Sequence, residues 1–558
     1  MRKLVECVPN FSEGRDQAVL EAIAEAVKSV AGVKLLDMDP GADTNRTVFT
    51  FAGPPEAVSE AAYRSIATAA RRIDMSKHHG AHARMGATDV CPFVPLSGVS
   101  MEECVELARR LGERVGRELK IPVYLYESAA TRPERRSLAD IRAGEYEGLP
   151  AKLSDPNWAP DFGPAEFNGQ SGATVIGARE FLIAYNVNLN TRDKKLATEI
   201  ALRIRENGRL KKDAAGNFVL DDEGNKLRDP GLLGAVRAVG WYIEEYGRAQ
   251  ISINLTNYRV TPPHLAFETC AAEAAKLGLR VTGSELVGLI PREALLLAGR
   301  YYLERQGKSS GVPESELVHI AVRSLGLDEL TPFDASKKVV EYAVEDRTGS
   351  LVEMTARRFA DEVSSESPAP GGGRVAALAG ALGAALATMV ANLTIGKKGH
   401  EAAWETLRPV ARKGQELKDW YLAAVDEDTR AFTRVMDAMR LPQKSEEEKQ
   451  ARTAALAEAN RGATLVPLSV LERSLEVLEL ARESAARGNP NSVSDAGVAA
   501  LAARTAAEGA WLNVLINLKS AGEAEWGREL RRRGEDALVQ ARVRAGEVLR
   551  LVEKSLAS

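Results

Sequence analysis

The chain has 558 residues, which is more than one hydrophobic core accommodates, and this length predicts about three or four compact units. Its 74 basic and 78 acidic residues are mixed along the sequence and leave a formal net charge of -4, which argues against nucleic acid or an anionic membrane as a partner and favours small molecules. The four cysteines show no CxxC spacing, which fits a reduced, cytoplasmic compartment and argues against a disulfide or zinc framework.

Short strands and amphipathic helices alternate from the start of the chain to about residue 330. The first segment, "MRKLVECVPNF", lacks a long apolar stretch and is predicted to be a strand, not a signal peptide. Further strands are predicted in the order "VKLLDMD", "TVFTFAG", "IPVYLYE", "FLIAYNVNL", "AQISINLTN" and "LRVTGSE". Amphipathic stretches at residues 16–30, 55–71 and 101–118 predict helices. This mixture predicts an α/β or α+β arrangement of sheet and helices.

Two polar segments interrupt this part of the chain. Residues 144–173 are rich in Gly, Pro and Asp, and we expect them to separate two sheet-containing lobes. Residues 213–231 are predicted to form a polar hairpin insertion with turns at Gly216 and Gly224.

After about residue 335 the strand signal ends, and helical patterns rich in Ala, Leu, Glu and Arg continue to Ser558, which predicts a helical bundle. The change of class falls in "DASKKVVEYAVEDRTGS", which is predicted to be a short polar linker. One uncharged segment, "VAALAGALGAALATMVANLTIG", is long enough to cross a bilayer. Because Ala and Gly dominate it, we expect a closely packed helix of a soluble bundle, with a membrane helix as the alternative.

Three of the six histidines of the chain, His78, His79 and His82, lie within "MSKHHGAHARMG". Glycines interrupt this segment, so the imidazoles are predicted to lie on a loop, where a histidine can carry protons near neutral pH. The flanking cations Lys77 and Arg84 are candidates to hold carboxylates. A zinc site is the alternative, although the spacing is unlike HExxH, and an exposed turn without chemistry is another.

Two further segments of this half could contact a ligand. The glycines of "DFGPAEFNGQSGATVIGAR", residues 161–179, permit close backbone approach, and Trp158, Phe162 and Phe167 could face a flat ring. A simple crossover between lobes is the alternative. In "TNRTVFTF", Arg46 lies on an apparently half-buried strand and is a candidate for a substrate carboxylate.

In the helical half, "SPAPGGGRVAALAG" places Gly371, Gly372 and Gly373 directly before a helix. The open N–H groups of a helix start could bind an anion or a carbonyl group, although the segment is no Walker motif. The alternative is a tight helix start that lets the bundle helices touch.

The segment "YLAAVDEDTRAFTRVM", residues 421–436, is predicted to be a helix with one apolar stripe. Asp428 lies on that stripe, whereas Asp426 lies on a more polar side, toward Thr429 and Arg430. A buried carboxyl is a candidate general acid, with a structural ion pair to an arginine as the alternative.

The later segment "GNPNSVSDAGVAA" is predicted to be a loop in which Ser494 or Asp495 caps the next helix. Farther along that helix, Asn513 and Asn517 share a face.

Taken together, these motifs resemble the formiminotransferase-cyclodeaminase family, bifunctional folate enzymes of histidine degradation. The resemblance covers nearly the whole chain. It rests on "VPNFSEGRD", "TNRTVFTF", "HHGAHARMGATDVCPF" and "GATVIGAREFLIAYNVNL" in the first half and on "PAPGGG", "DEDTRAF", "MRLP", "RTAAL" and "SDAGVAA" in the second. The chain departs from the family pattern in the long insertion at residues 213–230 and at Arg374, where a Ser commonly follows the glycines.

The resemblance implies a multidomain α+β protein with two ferredoxin-like lobes, residues 1–178 and 179–335, a linker at 336–350 and an all-α bundle at 351–558. The implied activity moves a formimino group from N-formimino-L-glutamate to tetrahydrofolate, the co-substrate, and then cyclises 5-formiminotetrahydrofolate to 5,10-methenyltetrahydrofolate with release of ammonia. No metal, nucleic acid or membrane is implied, and a homo-oligomer is expected. The rival classes are a folate-binding protein that lacks one activity and a zinc hydrolase.

By the same resemblance, His82 is the acid/base of the transferase, with His78 and His79 as supports, and Asp428 is the proton donor of the deaminase. Substrate contacts are expected from Arg46, Lys77, Arg84, Gly371, Gly372, Gly373 and Asp495, and folate contacts from Gly163, Pro164, Ala165, Glu166, Phe167, Asn168, Gly169, Gln170, Ser171 and Gly172.

Overall fold

The computed structural model describes residues 3–42, 44–80, 83–213, 216–221, 223–344, 350–365, 370–519 and 525–557. The chain divides into two compact units. The first unit comprises Met1–Ala298 and Ala321–Glu345, and the second comprises Gly299–Ile320 and Asp346–Ser558. Among the described residues, the first unit contains all three sheets, and the second contains helices but no strand.

The first lobe is built on a seven-stranded sheet. Its strands are β1 (Leu4–Cys7), β2 (Asn10–Phe11), β3 (Lys34–Gly41), β4 (Arg46–Gly53), β5 (Thr88–Ser97), β6 (Val123–Glu127) and β7 (Thr174–Ala178). Its helices are α1 (Gln17–Lys28), α2 (Pro55–Arg72), α3 (Met101–Leu119), α4 (Leu138–Arg142) and α5 (Leu149–Ser154). Across the sheet the order is β3, β4, then β1 and β2 in line, then β5, β7 and β6, and only the pairs with β7 are parallel.

Local sequence explains how these helices begin. The Asp16 carboxylate accepts hydrogen bonds from the first amides of α1. At α3, Ser100 and Glu103 form a reciprocal capping box, in which each side chain accepts from the backbone of the other. The three helices predicted at residues 16–30, 55–71 and 101–118 are confirmed by α1, α2 and α3.

The second lobe is a four-stranded antiparallel sheet with helices on one side. Its elements are β8 (Ile183–Leu189), α6 (Lys194–Ile204), β9 (Arg209–Leu210), β10 (Arg228–Asp229), β11 (Val236–Ile243), β12 (Arg248–Leu255), α7 (Pro263–Lys276) and β13 (Val281–Val287). Two helices follow, α8 (Arg292–Arg305) and α9 (Glu314–Leu325), of which residues Gly299–Ile320 belong to the second unit. The short helices α10 (Ala335–Lys338) and α11 (Val340–Val344) complete the first unit. The sheet order β11, β12, β8, β13 with the chain order β8, α6, β11, β12, α7, β13 is the ferredoxin-like arrangement. The first lobe repeats it with β1, α1, β3, β4, α2 and β5 and extends it by β7 and β6.

The predicted polar insertion is a hairpin in this lobe. β9 pairs with β10, and both Gly216 and Gly224 have positive φ, at +88° and +85°, as their turns require. The carboxylates of Asp213 and Asp221 accept hydrogen bonds from the backbone within these turns.

The second unit is a bundle of long helices. They are α12 (Ala356–Val363), α13 (Gly372–Thr394), α14 (Glu401–Met439), α15 (Glu446–Arg487), α16 (Val493–Leu518) and α17 (Glu525–Ala557). α13 packs against α14, α15 and α16, and buried alanines from these helices fill the core.

The Ala/Gly composition of α13 follows from this packing. A β-carbon on Gly380 would lie 2.4 Å from the ring of Tyr421, and one on Gly383 would lie 3.0 Å from the carbonyl oxygen of Ala499. Among the described residues, α13 alone has the length and apolarity of a membrane span, and 56% of its apolar window is buried inside the unit. The expectation of a closely packed bundle helix agrees with this position.

Several elements differ from the predictions. β5, β7 and β11 were not predicted as strands; in β5, Pro92 and Pro95 argue against a central strand, yet both lie within it. α10 and α11 occupy most of the segment predicted to be a linker, residues 336–350, and residues 345–349 lie outside the described part of the chain. The helix α16 begins at Val493, so neither Ser494 nor Asp495 is its cap.

Candidate active sites

The histidine segment of the first lobe leads into β5. His78 is buried, and its Nδ1 accepts a hydrogen bond of 3.2 Å from Arg84 Nε. Because arginine only donates, the ring proton lies on Nε2, which is 2.8 Å from the carbonyl oxygen of Asn45. Burial lowers the pKa of His78, which is therefore held neutral as a support of the loop. The side chain of His79 is exposed, and His82 lies outside the described residues.

The two cations predicted to hold substrate carboxylates have partners within the chain. Arg84 is buried and binds Glu147 at 2.7 Å and Glu145 at 3.0 Å. Lys77 is exposed and pairs with Asp74 at 2.9 Å. Arg84 therefore links the histidine segment to the segment that follows α4, and Lys77 is paired with a neighbour on its own turn. Contact of either cation with a substrate carboxylate stays a prediction.

The glycine-rich segment 163–172 packs directly on the histidine segment. Gly172 pairs with Gly86, and the amide of Met75 donates to the carbonyl oxygen of Gln170 at 2.9 Å. A β-carbon on Gly172 would lie 2.1 Å from the carbonyl oxygen of Met85, so only glycine fits there. Two sequence segments that lie far apart in the chain thus form one wall of the first lobe.

An aromatic pair stands at the outer edge of this wall. Phe167 is 43% exposed, its ring centroid lies 5.4 Å from that of Tyr146, and the Tyr146 hydroxyl donates to the carbonyl oxygen of Gly169 at 2.5 Å. An exposed ring held against a second ring is a surface on which a flat ligand could stack.

Arg46 begins β4 and is half-buried. Burial lowers its pKa, while the nearby carboxylates of Asp89 and Asp39 raise it. Asp89 also binds Arg142 and accepts from the amide of Met85 at 3.0 Å. Arg46 thus stands in a buried charged cluster close to the start of β5.

The second candidate site lies at the N-terminus of α13. A β-carbon on Gly373 would lie 3.2 Å and 3.3 Å from the two carboxyl oxygens of Asp428 and 3.3 Å from Oδ1 of Asn513. The Asn513 amide nitrogen donates to the carbonyl oxygen of Gly509 at 2.9 Å, so its Oδ1 faces the glycine. The N-cap residue, Gly371, has no side chain with which to cap the first amides of the helix. Three acceptor oxygens therefore converge beside open N–H groups, an arrangement that suits a ligand rich in N–H donors.

Asp428 stands in an unusual electrostatic setting. Its side chain is 23% exposed, and burial raises the pKa of its carboxyl above the ordinary value, while Arg374 lowers it. Arg374 Nε lies 3.6 Å from Asp428 Oδ2 and donates to the hydroxyl of Thr429 at 3.0 Å.

Asp426 has a different place and a different function. Its carboxylate accepts from the Ser350 hydroxyl at 2.6 Å and from the Leu351 amide at 2.9 Å, so it anchors the chain that enters the bundle. The prediction that it points toward Thr429 is wrong, because the Thr429 hydroxyl accepts from Arg374 beside Asp428.

Asp495 does not join this site within one chain. It lies in the first turn of α16, 18 residues before Asn513, which corresponds to about 27 Å along the helix. The structure thus separates Asp495 from the glycines and from Asp428.

The sequence did not single out Asn513 for chemistry, although it predicted that Asn513 and Asn517 share one face of a helix. Thr429 and Tyr146 gave no signal of their own. Among the described residues, no group of three or more His, Cys, Asp or Glu side chains is placed to hold a metal ion.

Comparisons with known proteins cover both halves of the chain. Family models match at residues 4–179 (formiminotransferase domain, N-terminal subdomain), 184–345 (formiminotransferase domain) and 355–536 (formiminotransferase-cyclodeaminase).

Three curated relatives show which parts of the chain recur. The formimidoyltransferase-cyclodeaminase of Mus musculus is 45% identical over 555 residues, which is 99% of each chain. The glutamate formimidoyltransferase of Streptococcus pyogenes is 43% identical over 54% of this chain and 94% of its own length. The methenyltetrahydrofolate cyclohydrolase of Methylorubrum extorquens is 41% identical over 34% of this chain and 90% of its own. The chain therefore belongs to the formiminotransferase-cyclodeaminase family and is a bifunctional enzyme that combines a formimidoyltransferase with a cyclodeaminase.

Proposed function

We propose that the enzyme transfers the formimino group of N-formimino-L-glutamate to N5 of tetrahydrofolate and then closes the product to 5,10-methenyltetrahydrofolate with release of ammonia. We further propose that it acts in histidine degradation, in the cytoplasm and as a homo-oligomer. The observation that carries the proposal is the convergence of the Asp428 and Asn513 oxygens on Gly373, beside an uncapped helix start.

In the first half, His82 is proposed to carry the protons of the transfer. N5 must lose a proton when it attacks the formimino carbon, and the departing glutamate nitrogen must gain one, which a single imidazole can accomplish for a gain of about 10²- to 10⁴-fold. The neutral, hydrogen-bonded His78 and its partner Arg84 support this assignment, because they order the chain on both sides of His82 in the sequence.

The folate ring is proposed to lie against residues 163–172. The exposed ring of Phe167 offers a stacking surface for a pterin, and the segment pairs with the chain that follows the histidines, through Gly172 and Gly86. Arg46 is proposed as a contact for a glutamate carboxylate, because a half-buried guanidinium suits that group.

In the second half, Asp428 is proposed as the proton carrier of ring closure. N10 attacks the formimino carbon, and the terminal nitrogen departs as ammonia after protonation. The oxygens of Asp428 and Asn513 suit the N–H groups of a formimino nitrogen, and the open amides of α13 suit a carbonyl group of the folate.

The test supplies purified full-length enzyme with formiminoglutamate and tetrahydrofolate. The expected result is one glutamate, one ammonia and one methenyltetrahydrofolate for each turnover, followed by chromatography, an ammonia assay and methenyl absorbance. Supplying 5-formiminotetrahydrofolate alone tests the second half by itself. Failure to form glutamate in the first assay, or ammonia in the second, would refute the corresponding half of the proposal.

A further inference from the structure

Arg374 is a buried cation in a helix that otherwise carries no charge. Its side chain is 5% exposed, and it lies in the first turn of α13, directly after the three glycines. Burial of an isolated guanidinium is strongly unfavourable unless charge and hydrogen bonds compensate for it. The resemblance to the family leads to the expectation of a small serine at this position, so the arginine calls for a physical reason of its own.

The contacts of Arg374 point to Asp428. Its Nε donates to the hydroxyl of Thr429 at 3.0 Å and lies 3.6 Å from Asp428 Oδ2. The Thr429 hydroxyl thus holds the Arg374 guanidinium beside the Asp428 carboxylate. At 3.6 Å, the contact between guanidinium and carboxylate is an ion pair without a short hydrogen bond. Both carboxyl oxygens stay directed at the space above Gly373.

Other charged groups near Asp428 are engaged elsewhere. On α14, Glu427 pairs with Arg430 at 3.5 Å and with Arg434 at 2.8 Å. On α16, the facing side chain is the neutral Asn513. Within the described part of the chain, Arg374 is the charged group whose field acts on Asp428, and it opposes the effect of burial.

We propose that Arg374, held by Thr429, is a positioning residue that keeps Asp428 ionised and oriented, so that this carboxylate first accepts a proton and then returns it. This inference rests on the proposed cyclisation. As the N10–C bond forms, the N10 proton passes to the carboxylate. As the bond from carbon to the terminal nitrogen breaks, the same proton passes to that nitrogen, which leaves as ammonia.

The charges balance over these two proton transfers. The formimino group enters as its cation, the methenyl product carries that positive charge away, and Asp428 ends as the carboxylate with which it began. A carboxyl kept protonated by burial alone could donate but could not accept the N10 proton first. Arg374 supplies the field that makes the acceptor form available.

The test measures kcat/KM for cyclisation of 5-formiminotetrahydrofolate by the full-length enzyme between about pH 5 and 9, a range that brackets a raised carboxyl pKa. In Arg374→Met, the limb of the profile that reports Asp428 should move up by about 1 to 3 pH units, as expected when a carboxylate loses an adjacent guanidinium. Arg374→Lys keeps the charge and should leave the limb near its original position. Arg430→Met removes a charge from α14, the helix of Asp428, but Arg430 pairs with Glu427. The pH profile of this variant should match that of the wild type.

A second variant tests the hydrogen bond and disturbs folding less. Thr429→Val keeps the Arg374 guanidinium but removes the hydroxyl that accepts its hydrogen bond. The value of kcat/KM should fall by about tenfold, and the limb of the profile that reports Asp428 should move slightly to higher pH. Transferase activity and thermal unfolding verify that each variant is folded. A uniform loss of rate in Arg374→Met without a shift, or a Thr429→Val enzyme with the wild-type rate and profile, would overturn the inference. A wild-type enzyme that does not cyclise the intermediate would instead refute the proposed function.

Discussion

The two aspartates of α14 should separate catalysis from stability. Asp428→Asn keeps the shape of the side chain but cannot carry a proton, so cyclisation should fall by about 10²- to 10⁴-fold, or about 3 to 5 kcal/mol of transition-state stabilisation.

Asp426→Asn should do the opposite. Its carboxylate accepts from the Ser350 hydroxyl and the Leu351 amide, and hydrogen bonds to a charged group contribute about 1.5 to 3 kcal/mol each. Asparagine retains one acceptor oxygen, so the free energy of unfolding of the second unit should fall by about 1 to 3 kcal/mol. The rate of cyclisation should stay within about threefold of wild type, because this side chain does not face Gly373.

The assay supplies each full-length variant with formiminoglutamate and tetrahydrofolate and compares the glutamate released with the ammonia released. Asp428→Asn should release glutamate without matching ammonia, because 5-formiminotetrahydrofolate accumulates. Denaturant unfolding supplies the stability comparison. An active Asp428→Asn enzyme, or an inactive Asp426→Asn enzyme of unchanged stability, would refute the choice between the two carboxylates.

Three further outcomes are expected. His82→Ala should lower the transferase rate by at least about 10²-fold while 5-formiminotetrahydrofolate supplied directly is still cyclised, and normal glutamate release would exclude His82 as the proton carrier. Gly373→Ala would place a methyl group 3.2 Å from the Asp428 carboxylate and should reduce cyclisation by about tenfold or more, whereas Gly462→Ala, with no atom within 4 Å of the new methyl, should leave it intact. Burial raises the pKa of Glu6 from the usual 4.5 to about 8, so the unfolded chain loses this proton at lower pH than the folded chain, and the free energy of unfolding of the first unit should fall as pH rises across that window. Glu6→Gln should flatten this dependence in denaturant titrations, and identical slopes for both proteins would contradict it.

Local patterns were sufficient for much of this protein. The 3.6-residue period placed α1, α2 and α3, and the same arithmetic put Asp428 on the packed side of α14. The run of three glycines predicted an open helix start, and Gly371 does lack a side-chain cap. These features can be predicted from the sequence because each depends on residues within one or two turns of one another.

Features that depend on partners far apart in the sequence could not be predicted. The two prolines of β5 favour a loop locally, yet pairing with β1 and β7 on either side makes it a central strand. The partners of Arg84 could not be predicted, because Glu145 and Glu147 lie 61 and 63 residues farther along the chain. Here the energy of burial and of long-range pairing exceeds the local preference.

The second site shows the same division most clearly. From the sequence alone, Asp428 could be identified as a buried carboxyl, because amphipathic spacing is a property of one helix. Its partners could not be identified, because Gly373, Arg374 and Asn513 come from two other helices whose register is set by packing of small side chains across the bundle. The sequence determined which residue could exchange a proton, and the tertiary structure decided which oxygens and which cation surround it.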